Sequence, residues 1–149
     1  MTIRKADEQD VAELNALSKR SKAHWGYSDD FIESCVPFLN LEPEELEDTF
    51  LLEEGGKILG LYSVWFADDA PELTRLFVEP AFIGKGYGKA LWLHAVEHVK
   101  SKGHDRMFLV GDPHAMESFY IPMGCALINE VESEAQKGRL LPVLAYQIV

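Results

Sequence analysis

Cysteine and positive charge are both scarce in this sequence of 149 residues. The two cysteines, Cys35 and Cys125, are far apart and form no C-x-x-C pattern, which argues against a disulfide framework and a cysteine-based zinc site. A reducing, cytoplasmic location is therefore expected. The chain has 14 Lys and Arg against 25 Asp and Glu, a formal net charge of −11. General nucleic-acid binding is not expected, because phosphate contacts depend on Lys and Arg.

Long hydrophobic runs are absent as well. No stretch reaches the roughly 18 consecutive apolar residues of a membrane-spanning helix. Residues 1–7 lead directly into charged sequence, without the apolar core of a secretion signal. With 47% hydrophobic and 26% charged residues, the composition is that of a globular protein. Its length predicts one domain over residues 1–149, with no membrane partner.

Charge is distributed unevenly along the chain. Ten carboxylates and no Lys or Arg lie between residues 23 and 56, whereas from residue 83 to 102 four lysines accompany Glu97 alone. Two solvated surfaces would explain this pattern. The alternative is a cationic ligand beside the first stretch and an anionic ligand beside the second.

Apolar periodicity and turn residues predict the order β-α-α-β-β-β-α-β-α-β-β. Strands are expected at residues 2–6, 50–53, 57–66, 72–78, 107–110, 125–131 and 140–149, and helices at residues 7–25, 29–38, 86–102 and 113–123. Gly55-Gly56 predicts a hairpin, and the central strand-helix-strand run predicts a parallel pair with antiparallel flanks. The fold class is therefore mixed α/β, with helices on the faces of a sheet.

Three glycines alternate with other residues where a predicted strand gives way to a predicted helix. The segment reads Ile83-Gly84-Lys85-Gly86-Tyr87-Gly88-Lys89. Glycines let a backbone approach a ligand closely, and the first N–H groups of a helix favour an anion such as phosphate. The spacing G-x-G-x-G is one residue short of a dinucleotide fingerprint, and the Lys-Ser/Thr pair of a nucleoside-triphosphate loop is missing.

This loop and a later segment resemble the GNAT N-acetyltransferase superfamily. The family pattern Q/R-x-x-G-x-G/A matches residues 83–88, although Ile83 replaces Gln or Arg. Asp112-Pro113-His114-Ala115, followed by Phe119-Tyr120, is similar to the family's N/D-P-x-A and Phe-Tyr motif. One residue more than the commonest spacing separates the two parts, so we expect the start of that helix to be displaced. The resemblance covers the whole chain and implies the GNAT fold, a mixed central sheet with a splayed parallel strand pair and helices on both faces.

The resemblance also implies an activity, the transfer of acetyl from acetyl-CoA to a primary amine by direct attack in a ternary complex. Tyr120 occupies the general-acid position, unless it is a half-buried aromatic with a satisfied hydroxyl. Glu72 is the candidate general base, with His24 or a water relay as the alternative bases. If Glu72 is not the base, it is expected to be a solvated carboxylate at the start of its strand. No metal is implied. The residues that the resemblance assigns to coenzyme A are Leu76, Phe77, Val78, Ile83, Gly84, Lys85, Gly86, Tyr87, Gly88, Lys89, Asp112 and Ala115.

The acceptor pocket is the least legible part of the sequence. Aromatic faces suit cations, so four side chains are candidate contacts, although core packing is the alternative for each: His24, Trp25, Tyr27 and Trp65. Arg75 is either structural or orients an acidic group of the acceptor. The acidic stretch over residues 29–54 predicts a small cationic amine or a basic peptide terminus, with protein Lys or N-terminal acetylation left open. The final strands often pair between subunits in this family, so a homodimer is a further expectation.

Two other functions compete with acetyl transfer. His94-Ala95-Val96-Glu97-His98 spells the H-x-x-E-H signature of zinc peptidases. On a helix, however, His94 and Glu97 fall outside the apolar arc and His98 only borders it. Both histidines are therefore expected to face solvent or the protein rim and not a buried cleft. The second alternative is a non-catalytic acyl-CoA-binding module, which would share the glycine loop and lack the chemistry at Tyr120.

Overall fold

The computed structural model describes residues 1–67 and 70–149. Its strands are β1 (Thr2–Lys5), β2 (Thr49–Glu54), β3 (Lys57–Ala67), β4 (Ala70–Val78), β5 (Arg106–Val110), β6 (Ala126–Glu132) and β7 (Leu140–Gln147). Its helices are α1 (Val11–Ala23), α2 (Asp29–Leu39), α3 (Tyr87–Ser101) and the short α4 (Pro113–Ala115). Short 3-10 segments precede α1, β2 and α3. The predicted order of strands and helices is confirmed.

These strands form one sheet in the order β1-β2-β3-β4-β5-β7-β6. β2 and β3 make the hairpin predicted at Gly55-Gly56. β4 and β5 run parallel, and every other described pair is antiparallel. The predicted parallel pair with antiparallel flanks is therefore confirmed.

The parallel pair opens after two residues. Glu72 pairs with Phe108 and Leu73 with Leu109, and β4 then continues to Val78 without β5 beside it. The backbone groups on that edge of β4 are left free of sheet hydrogen bonds to β5. The splayed pair that the family resemblance implies is thus present.

A β-bulge at Thr74 lies where the strands separate. Ser63 of β3 faces Arg75 and Val64 faces Leu73, which leaves Thr74 without a partner on β3. In a regular strand, side chains two residues apart share a face. Here the extra residue reverses the alternation, so Leu73 packs in the core beneath α3 whereas Arg75 reaches the end of α2.

Helices cover both faces of the sheet. The core beneath α3 contains Trp92, and α1 buries Leu14 and Leu17 against the opposite face. Gly60 of β3 permits the close approach of α3, because a Cβ at this position would lie 2.8 Å from the Leu91 side chain and 2.8 Å from the carbonyl oxygen of residue 77. Within residues 1–67 and 70–149, none of the helices has the length and hydropathy of a transmembrane span.

The last helical segment differs from the expectation of a helix over residues 113–123. α4 has three residues and passes into one π-helical turn, Met116–Tyr120. In this turn the Ile121 N–H donates to the Met116 carbonyl at 2.9 Å, five residues back. Because a π turn holds one residue more than an α turn, it absorbs the extra residue of the motif internally. The start of the segment, capped by Asp112, is not displaced.

Candidate active site

The turn between β4 and α3 leaves a row of backbone N–H groups free. Gly84 and Gly86 have φ angles of 85° and 90°, a left-handed conformation that favours glycine. The first main-chain hydrogen bond of α3 runs from the Ala90 N–H to the Gly86 carbonyl at 3.1 Å. The amides of residues 84–89 consequently have no acceptor in the described chain. Such a row at the N-terminus of a 15-residue helix is a cradle for an anion such as pyrophosphate.

The gap between β4 and β5 opens into a cavity of about 1050 Å³. Gly84 and Gly88 line it at the glycine turn, the free edge of β4 lines it along residues 76–78, and Glu72 lines it where the strands are still paired. A second cavity of about 280 Å³ shares the walls at Gly84 and Gly88. One continuous space therefore connects the anion cradle with the paired start of β4.

Tyr120 presents its hydroxyl to this cavity. The side chain lies in the π-helical turn, is 7% exposed, and packs edge-on against Trp92 with ring centroids 6.0 Å apart. The Tyr120 hydroxyl forms no hydrogen bond to other described residues. Every fully buried side-chain polar atom of the described residues has a partner, so the Tyr120 oxygen is not fully buried. The oxygen therefore faces the cavity that the residue lines. Burial raises the pKa of the phenol, with smaller effects from Cys125 and Asp112, so Tyr120 holds its proton.

Glu72 lines the cavity on the β4 strand. Burial raises the pKa of its carboxyl, and the charge of Glu134 raises it further. It forms no ion pair with other described residues. A carboxyl whose pKa is raised towards neutrality is a suitable proton acceptor.

Asp112, expected to bind the cofactor, is engaged within the protein. Its carboxylate accepts from Lys22 Nζ at 2.8 Å, from the Tyr27 hydroxyl at 2.9 Å and from the His114 N–H at 2.9 Å. Burial opposes ionisation of Asp112, but these bonds, led by the one from Lys22, outweigh burial and lower its pKa. Asp112 still lines the cavity, with its acceptor positions largely occupied.

The four predicted acceptor contacts separate into two groups. His24 and Trp25 line the cavity, and Trp25 stacks on His114 with centroids 5.3 Å apart. Among the described residues, Tyr27 and Trp65 do not line it. Tyr27 lies behind the wall, and burial, followed by Asp112, raises the pKa of its hydroxyl. Trp65 is 43% exposed on β3.

Arg75 is committed to the structure. Its Nε donates to the Leu39 carbonyl at 3.0 Å, and one terminal nitrogen donates to the Asn40 carbonyl at 3.1 Å. The guanidinium also pairs with Glu45. These carbonyls lie at the end of α2, where no glycine supplies the usual helix cap. Of the two roles considered for Arg75, the geometry favours the structural one.

Comparison with known families agrees with this geometry. Residues 9–125 match the model described as Acetyltransferase (GNAT) family. The chain belongs to the GNAT acetyltransferase family. It is accordingly an N-acetyltransferase that depends on acetyl-CoA. No match to a curated protein was found.

Solved structures share the fold of this GNAT chain at low sequence identity. The PaiA N-acetyltransferase from Thermoplasma acidophilum, in complex with coenzyme A, has a TM-score of 0.82 and 22% identity, with 98% of each chain covered. The protein yncA from Salmonella typhimurium, with its cofactor acetyl-CoA, has a TM-score of 0.71 and 22% identity over 100% of this chain and 94% of its own. The ribosomal-protein-S18-alanine N-acetyltransferase from Escherichia coli has a TM-score of 0.72 and 18% identity, covering 99% and 93%.

Most residues that the GNAT resemblance assigned to coenzyme A border one of the two cavities. Lys85 and Tyr87 are the exceptions among the described residues. The Lys85 ammonium lies 5.4 Å from the centre of the Phe82 ring, and the Tyr87 hydroxyl donates to Glu54. Both side chains thus make contacts outside the cavities, whereas their backbone amides belong to the free row.

The H-x-x-E-H histidines of this GNAT chain take part in packing. His94 Nδ1 lies 2.7 Å from the Tyr62 hydroxyl, and His98 Nε2 lies 2.8 Å from an Asp48 oxygen. Both rings contact Phe50 and are half-buried, which is consistent with the expectation that they face solvent or the protein rim and not a buried cleft. Among the described residues there is no group of three or more His, Cys, Asp or Glu side chains able to hold a metal.

The acidic stretch contributes little to the acetyltransferase cavity. Five of its carboxylates form ion pairs elsewhere in the fold, namely Glu33, Glu45, Glu47, Glu53 and Glu54, and Asp48 contacts His98. Of the carboxylates in the stretch, Glu45 alone lines the cavity, and it is paired with Arg75. The stretch therefore behaves mainly as a set of surface and anchoring contacts.

Sequence reasoning missed the segment between β6 and β7. Glu132, Glu134 and Arg139 from this part of the chain line the cavity of the acetyltransferase. These residues are far along the sequence from Glu72 and Tyr27, so sequence patterns could not predict that they lie near them. The one available signal was the concentration of charge between two predicted apolar strands.

The anchoring role of Arg75 leads to a stability prediction. Arg75→Met keeps the side-chain length, leaves Glu45 and the α2 carbonyls without their donor, and should lower the free energy of unfolding by about 3 kcal/mol. Urea titration followed by circular dichroism measures the effect. Arg106→Met, at an exposed position of β5, is the matched control and should change stability by less than about 0.5 kcal/mol. A loss below about 1 kcal/mol for Arg75→Met would contradict the anchoring role.

Proposed function

We propose that this acetyltransferase modifies the primary amine of a small acceptor that is cationic at the amine, by direct attack in a ternary complex. The observation that carries the proposal is the single cavity running from the glycine turn past Tyr120 to Glu72. Donor and acceptor would enter this space from different ends and meet beside two groups suited to proton transfer.

The chain's own groups suit acetyl-CoA. The free amides of residues 84–89 would hold the pyrophosphate, and the unpaired edge of β4 over residues 76–78 would bond to the pantetheine arm. Bound there, acetyl-CoA supplies an acetyl group activated as a thioester. A β4 backbone N–H is the proposed donor to the acetyl oxygen, where negative charge develops during attack.

Two protons have to move during transfer. An alkylammonium has a pKa of about 10.4 and no lone pair, so Glu72 accepts its first proton, directly or through water, with cavity-lining His24 as the alternative base. The amine nitrogen then bonds to the carbonyl carbon, and the carbon–sulfur bond breaks. The departing thiolate takes the Tyr120 hydroxyl proton, the second amine proton restores the phenol, and Glu72 releases the first proton to solvent.

Three carboxylates support a cationic reacting end. Glu72, Glu132 and Glu134 line the cavity, and none of them forms an ion pair within the described ranges. The repulsion from Glu134 that raises the pKa of Glu72 would be relieved by an ammonium group between them. The negative potential that we infer thus comes from β4 and the β6–β7 segment, not from residues 29–54.

The proposal extends to the organisation of the chain. We infer that residues 1–149 form one acetyltransferase domain, since the described strands from β1 to β7 share a sheet. We also infer a cytoplasmic location, which suits Cys35 and Cys125 because both are free and buried.

Tyr120→Phe tests the catalytic role of the hydroxyl. It removes one oxygen and should lower kcat by about 100-fold or more, while the Kd for acetyl-CoA changes less than about twofold. Thiol release across an amine panel measures turnover, and calorimetry measures binding. Undiminished turnover would remove Tyr120 from the mechanism. A wild-type chain that binds acetyl-CoA and acetylates no amine would favour the non-catalytic module.

Glu72→Gln should remove the acidic limb of the pH–rate profile. The pKa of Glu72 is raised, so its basic form is present only above that pKa, and wild-type kcat/KM should fall as pH drops through it. For the same reason, an ionised Glu72 costs folding free energy at neutral pH, so the variant should lose turnover without losing stability. An acidic limb that persists in Glu72→Gln would point to His24.

A homodimer through β6 is the proposed assembly. β6 is an edge strand, and Leu127 and Ile128 on it are 52% and 55% exposed. Ile128→Glu should shift the sedimentation equilibrium from dimer to monomer, whereas Thr2→Glu on the opposite edge should not. A monomeric wild-type protein would contradict the assembly.

A further inference from the structure

We propose that Arg139 is a carboxylate-binding residue of the acceptor site, so that the acceptor carries a carboxylate as well as the reacting amine. This inference rests on the proposed function and narrows its substrate class. Arg139 lies between β6 and β7, lines the main cavity and retains 18% of its side-chain exposure. The guanidinium therefore lies in the wall of the cavity that donor and acceptor would share.

The guanidinium is held in place but mostly unbonded. In the described chain it makes one hydrogen bond, from a terminal nitrogen to the Tyr27 hydroxyl at 2.6 Å. Its plane lies near the Phe31 and Tyr27 rings, with its central carbon 4.8 Å and 5.1 Å from their centroids. Arg has five N–H donors in a rigid fork, so most of them remain available. Aromatic contact fixes the orientation of such a fork and leaves its donors free.

The charges around Arg139 do not balance. Lys22 and Arg139 are both cations in the cavity wall, and Asp112 is the one carboxylate between them. Asp112 bonds to Lys22 at 2.8 Å, whereas its nearest approach to Arg139 is 3.6 Å, beyond hydrogen-bond distance. The hydroxyl of Tyr27 donates to Asp112 and accepts from Arg139, which links the two without supplying charge. Within the group of Lys22, Asp112 and Arg139 one positive charge is in excess, and Arg139, the more loosely paired of the two cations, lines the cavity.

Arg139 differs in this respect from the other arginine of the cavity. The donors of Arg75 are taken by Glu45 and by the carbonyls at the end of α2. Arg139, and not Arg75, is therefore the arginine with donors available to orient an acidic group of the acceptor. A planar fork with free donors matches a carboxylate in two parallel hydrogen bonds better than it matches a point anion.

The two kinds of charge in the cavity then describe one dipolar acceptor. The ammonium end belongs beside Glu72 and Glu134, and the carboxylate end belongs at Arg139. An acceptor of this class is nearly neutral overall, although its amine is cationic. A simple alkylamine would leave Arg139 unpaired, and a diamine would place a second cation against it.

A panel of matched acceptors tests the assignment in the wild-type enzyme. Linear alkylamines, ω-amino carboxylates and α,ω-diamines of equal chain length differ only in the group opposite the amine. At the best chain length, kcat/KM should be at least about tenfold higher for the amino carboxylate than for the alkylamine, because a charge-assisted hydrogen bond contributes that much. An equal rate for the alkylamine, or a preference for the diamine, would overturn the inference.

Arg139→Gln tests the residue itself. The ratio of kcat/KM for the amino carboxylate to that for the alkylamine should fall to about one, mainly through KM of the amino carboxylate. Arg106→Gln, an exposed arginine on β5 outside the cavity, is the matched control and should keep the wild-type ratio. If Arg139 only tied the β6–β7 segment to Tyr27, all acceptors would lose activity in proportion, and the unchanged ratio would reject a binding role.

A binding measurement separates this inference from the proposed function. Coenzyme A-saturated protein is titrated with an N-acetylated amino carboxylate and with the N-alkylacetamide of equal length. The carboxylate compound should bind at least about tenfold more tightly in the wild type and lose that advantage in Arg139→Gln. This result would stand even if no amine were acetylated, an outcome that would reject the proposed function alone. Equal affinity for the two compounds would reject the role of Arg139.

Discussion

The ladder between β4 and β5 consists of two residue pairs, Glu72 with Phe108 and Leu73 with Leu109, and the rest of the active site depends on its ending there. Continued pairing would consume the backbone groups that the pantetheine arm is proposed to use, and it would close the cavity. The break coincides with the bulge at Thr74. Beyond Leu73, one edge of β4 forms no sheet hydrogen bonds to β5, and this separation creates the space in which two substrates can meet.

The same bulge couples the two halves of the cavity. By reversing the alternation of side chains after Leu73, it turns Arg75 towards α2, whose carbonyls and the neighbouring Glu45 take up the guanidinium. α2 in turn carries part of the cavity wall, including Cys35 and Phe38. The strand whose free edge opens into the cavity therefore also holds a helix that lines the same cavity.

Local signals carried the prediction of most of the fold. The Gly55-Gly56 hairpin, the glycine turn before α3 and the order of elements each follow from short-range sequence patterns, and the structure agrees with them. One extra residue in the motif indicated an irregularity in the segment that ends at Tyr120. The sequence could not distinguish a displaced start of the helix from the π-helical turn that the structure shows. A displaced helix start and a widened turn each accommodate one extra residue in the same segment, so the residue count fits either.

The acceptor side could not be predicted in the same way, because its contacts join distant parts of the chain. Tyr27 meets Arg139 across 112 positions, and Lys22 meets Asp112 across 90. Net charge was misleading for a related reason: three carboxylates of the acidic stretch pair with Lys5, Lys19 and Arg75, and of all its carboxylates only Glu45 lines the cavity. Only three-dimensional proximity distinguishes a carboxylate that is paired with a cation from one, such as Glu134, that forms no ion pair with the described residues.

The widened turn at Met116–Tyr120 has a consequence for how this enzyme can vary in evolution. Successive residues of an α-helix are rotated by about 100° around its axis. The wide turn holds one residue more than an α turn, so deleting one of residues 117–119 would restore α-helical winding and leave the Tyr120 ring in its present direction, whereas a second deletion would rotate the ring by roughly that angle. The segment is thus tolerant of losing one residue and intolerant of losing two, whereas Glu117, which is exposed and outside the cavity lining, is free to change its side chain.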